Sequence, residues 1–204
     1  MMNNLEYENK HYSSGKKYIA GVDEVGRGPL AGPVVSAAVI MPKDFYLEGI
    51  TDSKKLSEKK RNEFEKLILE NAIAVSLSFI NEKIIDEINI YEASRKAMIE
   101  AINNLSVKPD IVLVDAMPLD IDIETESIIK GDEKSFTIAC ASIVAKQTRD
   151  RFMEGLALKY PNYGFEKHKG YPTKLHKEAL KKYGVLDIHR KTYKPVKEVL
   201  DNKG

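Results

Sequence analysis

The sequence contains no tryptophan and only one cysteine, Cys140. One thiol cannot close an internal disulfide, and its neighbours Ile138, Ala139, Ile143 and Val144 predict a buried sulfur in a reducing compartment, so the cytoplasm is expected. Long apolar runs are missing too. Stretches such as Ala37 to Met41 fall far short of the roughly 18 residues that a membrane helix requires. The opening MMNNLEYENK has neither a basic nor an apolar region of the kind that a signal peptide carries. Repeats, low-complexity segments and clear linkers are absent, and neither sign of charge dominates, with 32 basic against 31 acidic residues. What remains is a 204-residue chain, 43% hydrophobic, long enough to bury a core without staples. The expectation is one α/β domain, with a core over about 17–160 and a basic portion over about 161–204.

The near-zero net charge conceals a polarity. Up to Ser135 there are 17 basic and 24 acidic residues, a net of −7; beyond it there are 15 and 7, a net of +8. The basic part also holds Tyr160, Tyr163, Phe165, Tyr171, Tyr183 and Tyr193. Cations interleaved with rings suit a polyanion such as nucleic acid, although charge alone fits solvated helix faces better.

Alternation and apolar runs predict strands at Lys17–Glu24, Pro33–Met41, Ile73–Ile80, Asp110–Asp115 and Ser127–Lys130. Helical spacing predicts a helix from about Leu56, bearing Phe64, Leu67 and Ile68 on one stripe. A long helix capped by Asn81 is expected to carry Ala97, Met98, Ala101, Ile102 and Leu105. A small-residue helix should run from Lys134 to about Tyr160, followed by a loop, a basic amphipathic helix and a polar tail. Interleaved helices and strands imply a mixed central sheet flanked by helices.

Carboxylates stand at the ends of these elements. Asp23 and Glu24 close the first strand before the glycine-bearing turn Gly26-Arg27-Gly28, Asp115 ends a strand buried on both faces, and Asp132 precedes the small-residue helix. Adjacent strand residues point to opposite faces, so Asp23 and Glu24 share a site only where the strand leaves its register. With no His or Cys among them, the four acids suit Mg²⁺ or Mn²⁺ better than zinc. Three of them also have a plain structural role open to them: Asp132 as a helix cap, Asp115 as a turn former, Glu24 as a surface partner of Arg27. Asp150 lies four residues after Lys146 on one helix face and predicts an intrahelical ion pair. His168, between two lysines, reads as a solvated loop residue.

Taken together, YIAGVDEVGRGPLAGPVVSAAVI, DSKKLSEKKR, IVLVDA, IIKGDEKSFTIACASIVAKQTRDR, HKGYPT and HRKTYKPV resemble bacterial ribonuclease HII, the type 2 ribonuclease H, in order from about Tyr18 to Val196. The resemblance implies a ribonuclease H-like fold with a helical C-terminal portion. It also implies an endonuclease acting on RNA/DNA hybrids and on duplex DNA with embedded ribonucleotides. By motif, Asp23, Glu24, Asp115 and Asp132 would hold two divalent metal ions, Mg²⁺ or Mn²⁺. Gly26, Arg27 and Gly28 would sense the ribonucleotide 2′-OH, Tyr171 would stack at the RNA-to-DNA junction, and Lys54 and Lys146 would contact phosphates. A monomer is expected, with no membrane partner.

The departures from that pattern are small: Ala116 stands where glycine is common, Cys140 within an alanine run, and Tyr193 for phenylalanine. The related ribonuclease HIII pattern has GKG at Arg27 and an extra N-terminal domain, for which the lead before Lys17 is too short. Two other classes use similar parts. A metal-dependent DNA endonuclease would need the acids without a 2′-OH sensor, and a hybrid-binding module would need the basic third without all four acids.

Overall fold

The computed structural model of the chain describes residues 4–202. Helix α1 (Glu6–Ser13) leads into β1 (Ile19–Val25) and β2 (Val34–Ile40). A 3₁₀ turn (Ser53–Lys55), α2 (Glu58–Asn71), β3 (Ala74–Ile80), α3 (Glu82–Asn103), β4 (Ile111–Asp115) and β5 (Thr125–Ile128) follow. The chain then turns helical: α4 (Gly131–Lys134), α5 (Phe136–Lys159), α6 (Phe165–His168), α7 (Lys174–Tyr183) and α8 (Lys194–Asp201). Among the described residues the five strands form one sheet in the order β3-β2-β1-β4-β5. Strands β1, β2 and β3 pair antiparallel, whereas β4 lies parallel to both β1 and β5, so the sheet is mixed as expected.

The small-residue run has a mechanical reason. A Cβ at Gly21 would stand 2.2 Å from the carbonyl carbon of Thr137, so the backbones of β1 and α5 touch. Only glycine on the strand and small side chains on the helix permit that approach. Ala139, Cys140, Ala141 and Ala145 are accordingly buried against Ala37, Val39, Phe64 and Ile68 on this face of the sheet. On the other face Ala20, Val22, Ala38 and Ile40 meet Met98, Ala101 and Ile102 of α3. Central strands covered on both sides read as continuous apolar runs, as β1, β2 and β4 do.

Three expectations need correction. The long α3 is two helices joined at Asn89, whose φ of 68° is left-handed and whose side chain accepts from the Tyr91 and Glu92 amides, recapping the second half. Asp132 does not cap the small-residue helix. That role belongs to Ser135, which accepts from the Ile138 amide, while Asp132 sits in the separate single turn α4. The polar tail is α8, with proline in its first turn and Val196 fully buried.

Helix α1 is tied to this junction from the far end of the sequence. Glu8 Oε1 accepts from the Ser135 hydroxyl at 2.6 Å, the Thr137 amide at 2.9 Å and the Thr137 hydroxyl at 2.8 Å, fixing the break between α4 and α5.

Candidate active site

Pleat and register bring two of the acids together. On β1, Ile19, Gly21 and Asp23 alternate onto the α5 face; on β4, Ile111, Leu113 and Asp115 do the same. The parallel register pairs Val22 with Val114, so the next residues, Asp23 and Asp115, fall together where that pairing stops, Asp115 as the last residue of β4 and Asp23 two residues before the end of β1. Asp132 comes from α4, whose Gly131 amide donates to Asp115 Oδ1 at 2.7 Å. Glu24, one position beyond Asp23 at the margin of the sheet, lines the same cleft. The cleft, of about 490 Å³, is bounded by Asp23, Glu24, Asp115, Asp132, Lys54, Lys146 and Tyr171, and so unites seven of the sequence-derived candidates.

These acids repel one another out of water. Burial, with the charges of Glu24 and Asp115 adding to it, pushes the Asp23 carboxyl well above the carboxylate range. Burial also raises Glu24 to about 7 against the opposing pull of Arg27, whose guanidinium is 3.7 Å away. Asp132 rises to about 6 through burial, Asp115 and Asp52. Asp115 is raised by burial and restrained by the Gly131 and Lys54 groups. Lys54, although burial works against its charge, is held above the ordinary lysine value by Asp52, Asp23 and Asp132. Lys146 is lowered, burial outweighing its 2.6 Å ion pair with Asp150, which forms as the spacing predicts.

Four mutually repelling carboxylates, Asp23 buried and the other three half-buried, offer only oxygen donors and fit hard divalent cations, which favour such ligands and cancel such charge. They are an open cradle rather than a finished cage. Among the described residues, no three His, Cys, Asp or Glu side chains stand close enough to hold an ion without moving.

The Gly26-Arg27-Gly28 turn does not line the cleft itself but follows directly from Val25, which does. Gly26 has φ of 100°, and a Cβ there would strike Arg149 Nε at 2.3 Å. A Cβ on Gly28 would lie 3.4 Å from Tyr171 Cε1, so the turn runs beside that ring, which is 37% exposed. Two buried arginines, neither of which stands out in the sequence, support the turn. Arg190 donates to the carbonyls of Gly26 at 2.6 Å, Arg27 at 2.9 Å and Gly32 at 2.9 Å. Arg149 donates to Pro33 at 3.0 Å, Ala31 at 3.1 Å and Lys169 at 2.9 Å. With the Gly26 and Arg27 carbonyls turned to Arg190, planar trans peptides direct the Arg27 and Gly28 amides the other way. Among the described residues neither amide has an acceptor.

Ser53, Arg61 and Ser142 also line the cleft without having stood out in the sequence. Arg61 is the only one of them with a chemical signal, a cation in the first turns of a helix flanked by acids. It donates to the Ser53 and Leu56 carbonyls and thereby braces the 3₁₀ turn that bears Lys54. His168 is buried rather than solvated, and of the rings in the basic third Tyr163 and Phe165 belong to the core. Tyr171 and Tyr183 keep exposed faces.

Residues 20–196 match the family model described as Ribonuclease HII. A ribonuclease HII of Bacillus cytotoxicus is 56% identical over 198 residues, covering 97% of this chain and 76% of that protein. Among solved structures, the ribonuclease H2 of Pyrococcus horikoshii OT3 superposes with a TM-score of 0.77 at 28% identity, over 91% of this chain and 98% of that one. A Bst ribonuclease HIII solved in complex with Mn²⁺ gives 0.68 at 16% identity, over 91% and 70%, a likeness of fold.

Proposed function

The chain belongs to the ribonuclease HII family, metal-dependent endonucleases that hydrolyse RNA in RNA/DNA hybrids, and we propose that it also cuts 5′ of single ribonucleotides embedded in duplex DNA. The products would be 3′-OH and 5′-phosphate ends. The observation that carries this reading is the meeting of four carboxylates, two lysines and one exposed ring in a single cleft beside a turn with two unengaged amides.

Asp23, Glu24, Asp115 and Asp132 would hold two divalent ions, Mg²⁺ or Mn²⁺. Such ions, once bound, lower the pKa of the attacking water and stabilise the leaving oxygen. The remaining residues select and place the substrate. Lys54 faces the acids across the cleft and would hold the scissile phosphate against their repulsion. Lys146, already paired with Asp150, offers a second cation farther along the groove. The Arg27 and Gly28 amides can donate to a 2′-hydroxyl, and glycine at Gly28 admits the sugar closely. The exposed face of Tyr171 can stack on the sugar-base step where RNA passes to DNA. The basic portion over about 161–204 would track the phosphates.

The deciding assay compares three duplexes, all DNA, DNA with one ribonucleotide, and RNA/DNA hybrid, each with and without Mg²⁺ or Mn²⁺. Cleavage of the second and third, only with metal, is expected; cutting of the all-DNA duplex would point to a general DNA endonuclease. Tyr171→Ala should lose about 1–3 kcal/mol of junction interaction and Tyr171→Phe much less, because the ring face survives.

A further inference from the structure

Behind Tyr171 lies a buried group of imidazoles to which the proposed chemistry assigns no task. His168 and His176 stack with centroids 4.5 Å apart, and His176 Nε2 meets His189 Nε2 at 3.0 Å. The surrounding amides and carbonyls dictate where each proton sits. The Gly170 amide donates to His168 Nδ1 at 3.1 Å, so His168 carries its proton on Nε2 and donates to the Tyr163 carbonyl at 2.8 Å. The Leu186 amide donates to His189 Nδ1 at 2.9 Å, so His189 donates from Nε2 to His176 Nε2. That leaves the His176 proton on Nδ1, aimed at the Tyr171 carbonyl at 3.0 Å. One set of neutral tautomers satisfies all six ring nitrogens, and no other does.

The chain is thus gripped on both sides of the Tyr171 ring. Before it, the Gly170 amide is held by His168 while the Gly170 carbonyl accepts from the Leu30 amide at 2.8 Å, two residues beyond the Gly28 turn. Gly170 itself has φ of 88°, and a Cβ there would lie 2.8 Å from the Ala31 carbonyl oxygen. After it, the Tyr171 carbonyl is held by His176 and by the Thr173 amide.

We propose that His168, His176 and His189 are positioning residues that fix the Tyr171 ring against the Gly28 turn, and thereby set how strongly the enzyme recognises a single ribonucleotide in DNA. The proposal rests on the reading of Tyr171 as the stacking platform. Burial keeps the group neutral, holding His176 down at about 4 and His189 at about 3. Neutrality is a requirement of the geometry, since a second proton on His176 would face the Nε2 proton of His189.

Two measurements test it on the full chain. Long-range proton–nitrogen NMR of the unaltered enzyme should find protons on Nε2 of His168 and His189 and on Nδ1 of His176; any other pattern overturns the network without requiring a variant to fold. The second is a cycle of His176→Leu, Tyr171→Ala and their combination, assayed with Mn²⁺ on a single-ribonucleotide duplex and on a uniform hybrid. His176→Leu should lower kcat/KM on the former about tenfold, with a smaller effect on the latter and no further loss once Tyr171 is alanine. His176→Asn, whose amide can replace the Nδ1 donor, should recover most of the loss. A loss of equal size in the Tyr171→Ala background, or on both substrates, makes the cluster a mere packing element. If Tyr171→Ala is damaging and His176→Leu silent, the proposal alone falls. A silent Tyr171→Ala removes the stacking reading and the proposal with it.

Discussion

Arg149 and Arg190 are buried as deeply as Asp23, yet the two kinds of group are treated differently by their surroundings. The arginines have no carboxylate partner among the described residues, but main-chain carbonyls take up their donors. The histidines behind Tyr171 are satisfied on every nitrogen. The carboxylates of the cleft floor receive a few amide donors and a partial counter-charge from Arg27 and Lys54, so burial, with their mutual repulsion added to it, raises their pKa values. A region that satisfies its own polar groups is a support. One that leaves like charges together stores unfavourable free energy that protonation or an added cation relieves.

The sharpest way to break that contrast is to remove charge from each region. Asp115→Asn or Asp132→Asn should reduce cleavage by about a thousandfold or more, while gel-shift binding of the duplex survives and the metal-free protein melts no lower. Asp150→Asn, which strips only the partner of Lys146, should be far milder. Comparable damage at Asp150 would show that the fourth ligand is misassigned.

In the support, the same kind of change should act on folding. Arg190→Met leaves the Gly26, Arg27 and Gly32 carbonyls without their donor and should cost about 3 kcal/mol or more of stability, read by urea unfolding. A loss of activity with unchanged unfolding would place Arg190 in the chemistry instead.

The two regions should also answer pH in opposite senses. Glu24 and Asp132 have folded pKa values of about 7 and 6, above their ordinary values. The protonated forms favour the fold, so stability of the metal-free protein should fall as pH rises from about 4.5 to 7. His176 and His189, lowered to about 4 and 3, take up protons more readily when unfolded, so stability should fall as pH drops from about 6.5 towards those values. Metal-free melting should therefore peak on the mildly acidic side. Mn²⁺ should flatten only the alkaline arm, and an unchanged alkaline arm would contradict the carboxylate assignment.

The smallest effect concerns long-range charge. Lys54→Ala should reduce the log-log salt slope of duplex binding by about 1, with similar loss across sequences. A slope identical to that of the parent would remove Lys54 from the phosphate contacts.

Why the floor was legible in the sequence and the support was not follows from how each is encoded. Asp23 and Asp115 end apolar runs, and a carboxylate at the end of a buried strand is conspicuous against its neighbours. The small-residue run from Ala139 to Ala145 announces close packing in the same way, whereas its partner Gly21 is one glycine among apolar neighbours and gives no such signal. Arg149 lies within QTRDR and Arg190 within HRK, where a guanidinium bound to carbonyls is indistinguishable from one in water. His168 between Lys167 and Lys169 misleads for the same reason: its partners are backbone groups, which leave no trace in residue identity. Asp132 stands just ahead of the small-residue helix in the sequence, but its freedom from capping depends on Ser135 taking that task.

The clasp of Arg190 on Gly26 joins residues 164 positions apart. On a ribosome adding about 5–20 residues per second, roughly ten to thirty seconds separate the emergence of the two. Strands β1 and β2 can pair as a local hairpin almost at once, and the floor is complete once β4, α4 and α5 have docked. The Gly26 turn stays unclasped until Arg190 has emerged. A nascent molecule thus gathers its acids well before the turn beside them is rigid.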